Sequence, residues 1–174
     1  MKSGGRLRCE PPEIYHGRNC PNKSEIMIIK VSISIKEILE QGEDFSWPRP
    51  TSCPCCQNCT VWGHGHVWAY FDETGDGIYL RRWRCPVCKS VHRMKPAGYF
   101  PRFWASINDI RQSLAHRLKY GVFSSVLSAN RQRHWFNALK RNVIGRLGLK
   151  FLSNLSKSFG LLLEMGLTPV GRSI

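Results

Sequence analysis

Acidic residues almost vanish from the middle of this chain: between residues 78 and 150 there is one, Asp109, against 16 Lys and Arg. Residues 1–77 are balanced by comparison, with 8 basic and 10 acidic side chains. The imbalance is therefore regional, and a stretch of about 70 residues without counter-charge points to a polyanionic partner. Long apolar runs are also missing. The most apolar segment, "LKFLSNLSKSFGLLLEMGL", is interrupted by Asn154, Ser156, Lys157 and Gly160, short of the roughly 18 uninterrupted apolar residues of a membrane-spanning helix. The opening "MKSGGRLRCEPPEIYHGRN" is polar throughout and lacks the apolar core and small-residue cleavage site of an export signal. A soluble, cytoplasmic protein is expected, with no membrane partner.

What is present in quantity is cysteine. Eight residues in a reducing compartment favour metal over disulfide. Four of them crowd into "CPCCQNC", residues 53–59, and the chain repeats half of that pattern as "CPVC", residues 85–88. Two thiolates separated by two residues reach one tetrahedral ion, and two such turns close a structural site. Cys53 and Cys56 match Cys85 and Cys88, each pair with Pro after its first cysteine, where the fixed φ preorganises the turn. The competing pair Cys56 and Cys59 lacks that proline. The expected metal ligands are thus Cys53, Cys56, Cys85 and Cys88, holding structural Zn2+ with iron as the chief competitor. Cys55 then faces away and Cys59 leaves along the first strand. A redox CxxC uses one pair beside a helix N-terminus, whereas here two pairs flank strands. His64 and His66 in "GHGH" are read as exposed turn residues outside the site, and the two N-terminal thiols, Cys9 and Cys20, as bystanders.

Around the cysteines the periods change in order. Residues 1–26 mix Gly, Pro, Asn and charge without period and read as a disordered leader. Residues 27–50 open with strand alternation, Ile28, Lys30, Ser32, Ser34 against Ile29, Val31, Ile33, Ile35, then a short helical turn toward Gly42 and the stiff linker "SWPRPTS". Residues 51–96 alternate short strands with tight turns, "TVW", "HVWAYF", "IYLRRWRC" and "SVHRM" separated by "GHG" and "DETGDG", and fit two hairpins that bring the cysteine turns together. That arrangement is a zinc ribbon. From 104 to 148 the period becomes helical: Ile107, Ile110, Leu114 and Leu118 behind the N-cap candidate Ser106, a stop near Gly121, then Trp135, Leu139 and Val143 on one face behind Ser128. Residues 149–174 form an amphipathic tail.

The basic residues follow a path through these segments. Arg81, Arg82 and Arg84 surround Trp83 on one strand, so both sheet faces receive at least one Arg. Arg93, Lys95 and Arg102 continue toward the helices. The connection "GVFSS" has helix-turn-helix length, and a second helix entering the major groove would present Arg131, Arg133 and His134 from its first turns, Asn130 and Gln132 to adenine edges, and Lys140 and Arg141 to phosphates. Trp135 is read as core.

On "CPCC", "LRRWRCPVC", "KPAGYFPRF" and "RQRHWFNAL", over residues 50 to 146, the chain resembles the zinc-ribbon plus helix-turn-helix modules at the front of insertion-sequence transposases and a related bacterial domain family. The resemblance implies DNA binding on a mobile element, with a transposase or another protein as a further partner. It does not carry the reaction, because a strand-transferring centre needs separated carboxylates for two metal ions, and after Asp109 the only acid is Glu164. Members of that family have Gly after the second cysteine of each turn, where this chain has Gln57 and Lys89.

The sequence thus predicts a small α+β fold, a zinc ribbon of short antiparallel β-hairpins followed by a helix-turn-helix-like helical segment behind a disordered N-terminus. Its expected role is non-enzymatic binding of double-stranded DNA. Two other roles compete: an RNA-binding ribbon stacking bases on Trp62, Trp68, Tyr70 and Trp83, and a protein-interaction adaptor in a recombination complex that uses the tail from 149.

Overall fold

The computed structural model describes residues 27–171; the leader expected over 1–26, with Cys9 and Cys20, lies outside them. The chain forms two compact units that divide between Ala97 and Gly98. The first is a four-stranded mixed sheet and the second is all helical, together a small α+β protein.

In the sheet unit the strand order is β1-β4-β3-β2. Strands β2 (Trp62–Ala69), β3 (Ile78–Arg84) and β4 (Val91–Pro96) make the two expected antiparallel hairpins. The "GHG" stretch, expected to separate two strands, is instead carried inside β2 as an irregularity where the register shifts between Gly63 and His66; Gly65 absorbs it at φ +69, a backbone region that costs glycine little. β1 (Met27–Val31) adds to the far edge by pairing parallel with β4, Ile29 opposite Met94 and Val31 opposite Pro96. Alternation alone extended this strand to Ile35. A capping box ends it earlier: Ser34 Oγ accepts from the Glu37 amide at 3.2 Å and Glu37 Oε2 accepts from the Ser34 amide at 2.8 Å, starting α1 (Ile35–Gln41), which stops at Gly42.

Alternation assigns the sheet faces. Trp83 stands opposite His92 and Ile29 opposite Met94, and Trp83, Ile29 and Met94 pack with Val31, Val61, Cys53 and Cys85 as one core cluster of this unit, while Ile78 and Leu80 are buried on the other face. The Trp83 indole N–H points at Met94 Sδ, 3.3 Å away. Arg82, Arg84, Arg93 and Lys95 alternate onto the other face.

In the helical unit α2 (Ile107–Tyr120) is capped by Ser106, whose hydroxyl accepts from the Asp109 amide, and ends at Gly121 in the left-handed region. Helix α3 (Ala129–Arg146) follows at Ser128, which makes no side-chain capping bond. The connection runs from 121 to 128, longer than the 3–4 residues of a helix-turn-helix turn. A 3₁₀ segment (Leu149–Asn154) and α4 (Leu155–Glu164) complete the unit. The core joins Phe100, Ile110 and Leu114 to Trp135, Leu139 and Val143, as the helical period requires, and also to Leu155, Phe159, Leu162 and Val170. The apolar face of the tail is therefore spent inside this fold. Asn142 on α3 fixes its end, donating to the Pro169 carbonyl at 2.8 Å and the Gly171 carbonyl at 3.0 Å.

Candidate metal centre

Each cysteine pair sits in the same turn, built twice. In the first, the Gln57 amide donates to the Cys53 carbonyl (2.8 Å) and the Cys53 amide to the Asn58 carbonyl (2.7 Å). In the second, the Lys89 amide donates to the Cys85 carbonyl (3.1 Å) and the Cys85 amide to the Ser90 carbonyl (3.0 Å). Both turns force the residue after the second cysteine to positive φ, Gln57 at +60 and Lys89 at +62. Glycine takes this backbone region freely, whereas a side chain there costs about 1–2 kcal/mol.

The β2–β3 and β3–β4 hairpins bring the turns face to face. Cys53 Sγ is 3.6 Å from Cys88 Sγ, Cys56 Sγ is 3.5 Å from Cys85 Sγ, and all four sulfurs lie within 4.8 Å of one another. Four thiolates about 2.3 Å from one tetrahedral ion would stand about 3.8 Å apart, so the group fits a metal ion with little movement. Cys53 and Cys85 are buried and Cys56 and Cys88 half-buried. Burial pushes the Cys53 thiol up to about 12, against the lowering effect of backbone hydrogen bonds at Cys56 and Cys55, and it raises Cys56 as well. At Cys88 burial works the same way but is outweighed by the hydroxyl and amide of Ser90, which bring that thiol down to about 7. Thiols packed this closely do not all ionise without a compensating cation, and a metal supplies it by displacing their protons.

The Cys53/Cys56 register is thus the one assembled. His64 and His66 stand outside the group; His66 Nε2 is 3.3 Å from Arg81 Nη1 instead. Cys55 and Cys59, expected to face away and to leave along the first strand as free thiols, are instead disulfide-bonded. His92, which no ligand spacing marks, stands beside the site as well. Fully buried on β4, it sets Nε2 3.2 Å from Cys53 Sγ, while its Nδ1 is buried with no hydrogen-bond partner. The signal was available in "SVHRM", where His92 alternates with Met94 onto the core face.

The basic side chains are distributed as follows. In the sheet unit Arg84 is exposed and Arg81, Arg82 and Arg93 are half-buried. Arg82 stands directly opposite Arg93, and the Nε of each is buried without a partner. Lys30 on β1, exposed, pairs with Lys95. Lys95 itself, expected at a phosphate, is instead buried at 4% exposure with its ammonium 5.5 Å from the Phe71 ring; burial, with help from the charge of Arg93, lowers its pKa to about 8.

In the helical unit Arg102 is exposed at φ +63. Along α3, Asn130, Arg133, His134, Lys140 and Arg141 are exposed, and the guanidinium of Arg131 lies 5.1 Å from the Trp135 ring. Gln132, expected to read a base edge, is fully buried. Its amide donates to the carbonyls of Ser124 (2.6 Å) and Leu127 (2.7 Å) and accepts from Ser113 Oγ (2.7 Å) and the Ser124 amide (3.1 Å). Every hydrogen-bonding position of the side chain is used, three to fasten the 121–128 loop and one to tie α3 to Ser113 on α2.

Among the described residues no helix is long and apolar enough to cross a membrane. No protein-family model, curated protein or solved structure matches the chain, so nothing is carried over to it from a relative.

Proposed function

We propose that this chain is a non-enzymatic, zinc-dependent DNA-binding protein, in which the sheet unit is a zinc ribbon and the helical unit a helix-turn-helix-like module with an extended connection. The four-cysteine set supports zinc: four thiolates in a closed tetrahedron satisfy an ion that needs no further ligand, and they leave no open position for chemistry. The resemblance to transposase front modules supports duplex DNA as the polymer and an accessory role in a larger recombination assembly.

One observation carries the polyanion reading. Arg82 faces Arg93 across the ladder, and like charges directly opposite destabilise a sheet. A sheet that keeps such a pair, with both Nε atoms unpartnered, gains from an anion that neutralises it. The exposed stripe of Asn130, Arg133, His134, Lys140 and Arg141 on α3 gives the helical unit a second basic surface opposite its Trp135–Leu139–Val143 core.

A salt series on duplex DNA tests the proposal. Affinity should fall steeply with salt, and Arg82→Ala, Arg93→Ala and Arg133→Ala should each flatten the log-log slope by about 1. A salt-independent or absent interaction with duplex would overturn it.

A further inference from the structure

On the core face of the sheet, beyond the metal centre, β2 and β3 carry a line of rings. Trp68 stands opposite Tyr79, with ring centroids 4.6 Å apart and planes at 69°. Tyr70 continues the line at 6.3 Å from Trp68, and His66 at 6.4 Å from Tyr79. The line ends on Arg81, which touches His66 Nε2 at 3.3 Å and lies 5.4 Å over the Trp83 ring. These rings are not core: Trp68 is 43% exposed, Tyr79 46% and Tyr70 56%. Two glycines make the arrangement possible. A Cβ on Gly63 would meet the Arg81 guanidinium, and one on Gly77 the Trp68 indole, so both side chains lie flat across the strands.

We infer that this face is a binding platform for single-stranded DNA, separate from the duplex contacts. Exposed Trp and Tyr on a rigid hairpin stack on unpaired bases, whose π-faces are open, and gain nothing from a duplex, whose bases are already stacked. In an edge-to-face pair one ring face is covered by its neighbour and the others remain open to a guest. The occupant is an anion as well as an aromatic. Arg81 closes the line two residues along β3 from Tyr79, opposite His66, so a base on Tyr79 leaves its phosphate toward that guanidinium. The choice of DNA over RNA rests on the function proposed above; the stacking itself does not. Of the rings named in the sequence reading, Trp83 drops out, because it is 8% exposed and bonded to Met94.

The experiment is anisotropy on the intact, metal-loaded chain with a labelled oligothymidylate about 20 nucleotides long and, separately, a duplex of the same length. Trp68→Ala and Tyr79→Leu should each weaken oligothymidylate binding between about 5- and 150-fold, the range expected for one lost stacking partner. Trp68→Phe should restore most of it, and duplex affinity should stay unchanged in all three. Unchanged oligothymidylate binding in both Trp68→Ala and Tyr79→Leu would overturn the platform, as would tighter binding of oligouridylate than of oligothymidylate. If Trp68→Ala loses its metal or its fold, Tyr79→Leu and quenching of tryptophan fluorescence by oligothymidylate in the unaltered protein carry the test. Quenching supports the platform, and its absence overturns it. The two readings separate cleanly: Arg82→Ala should weaken duplex binding with or without a platform, and ring substitutions should weaken only the single strand.

Discussion

His92 Nε2 lies 3.2 Å from Cys53 Sγ, inside the core of the sheet unit and opposite Trp83. With metal bound Cys53 is a thiolate, and the ring nitrogen facing it carries the proton; Nδ1, which has no partner, is the unprotonated one. A hydrogen bond to a ligand sulfur orients it and spreads its charge. Loss of such an outer partner costs about 10- to 100-fold in metal affinity. His92→Ala should show that loss in a chelator competition, with His92→Gln, which can keep an N–H near the sulfur, closer to the unaltered protein. Equal affinities for all three would remove His92 from the site.

Metal removal should dismantle the sheet unit. The core cluster that packs Trp83 and Met94 includes Cys53 and Cys85 themselves, and structural metal in such modules is worth about 10–16 kcal/mol of apparent binding free energy. Chelation, or Cys85→Ser, should abolish the β-sheet signal in circular dichroism together with the bound metal. A metal-free chain that keeps its sheet would refute the structural role.

The two left-handed turn residues are sites of built-in strain. Gln57→Gly and Lys89→Gly should each stabilise the metal-loaded protein by about 1 kcal/mol, read as a rise in the denaturant midpoint. Neither change touches a ligand, so metal stoichiometry should stay the same.

Lys95 gives a pH signature. Its ammonium is lowered to about 8 by burial and then by Arg93, against an ordinary value near 10.4 in the unfolded chain. Between those values the unfolded state binds more protons, so this residue makes stability rise as pH climbs from about 8 to about 10.4, and below about 8 its full cost is present. Lys95→Met should therefore stabilise at neutral pH by up to about 3 kcal/mol, with the gain fading toward pH 10.4. A gain that is constant with pH would mean that packing, rather than charge, is responsible.

Gln132 holds four hydrogen bonds within the helical unit. Gln132→Leu leaves those groups unsatisfied, at about 1–3 kcal/mol for each one that water cannot reach, and should lower the melting temperature of this unit. Duplex affinity of the folded fraction should be unaltered. Weaker DNA binding at unchanged stability would return this side chain to a base-reading role.

Much of the local structure was legible in sequence because it is set by short-range chemistry. The matched CPxC turns, Ser106 and Gly121 at the ends of α2, and the Trp135–Leu139–Val143 stripe are each decided within a few residues of themselves. So was the choice of Cys53, Cys56, Cys85 and Cys88 as the assembled set.

Long-range pairing was not legible. That β1 joins β4 in parallel, and that the tail from 149 closes the helical core, depend on partners distant in the chain that periodicity does not name. Polar side chains divided on the same ground. Exposed Arg133 and buried Gln132 are neighbours in one basic helix, and only the packing of the 121–128 loop separates a surface cation from a structural amide. The sequence by itself determined which two turns present the four cysteines that could hold a metal, because a turn needs only its own residues. The tertiary structure decided which charges face water and which neighbours they keep, because burial and cross-strand register belong to the assembled sheet and bundle.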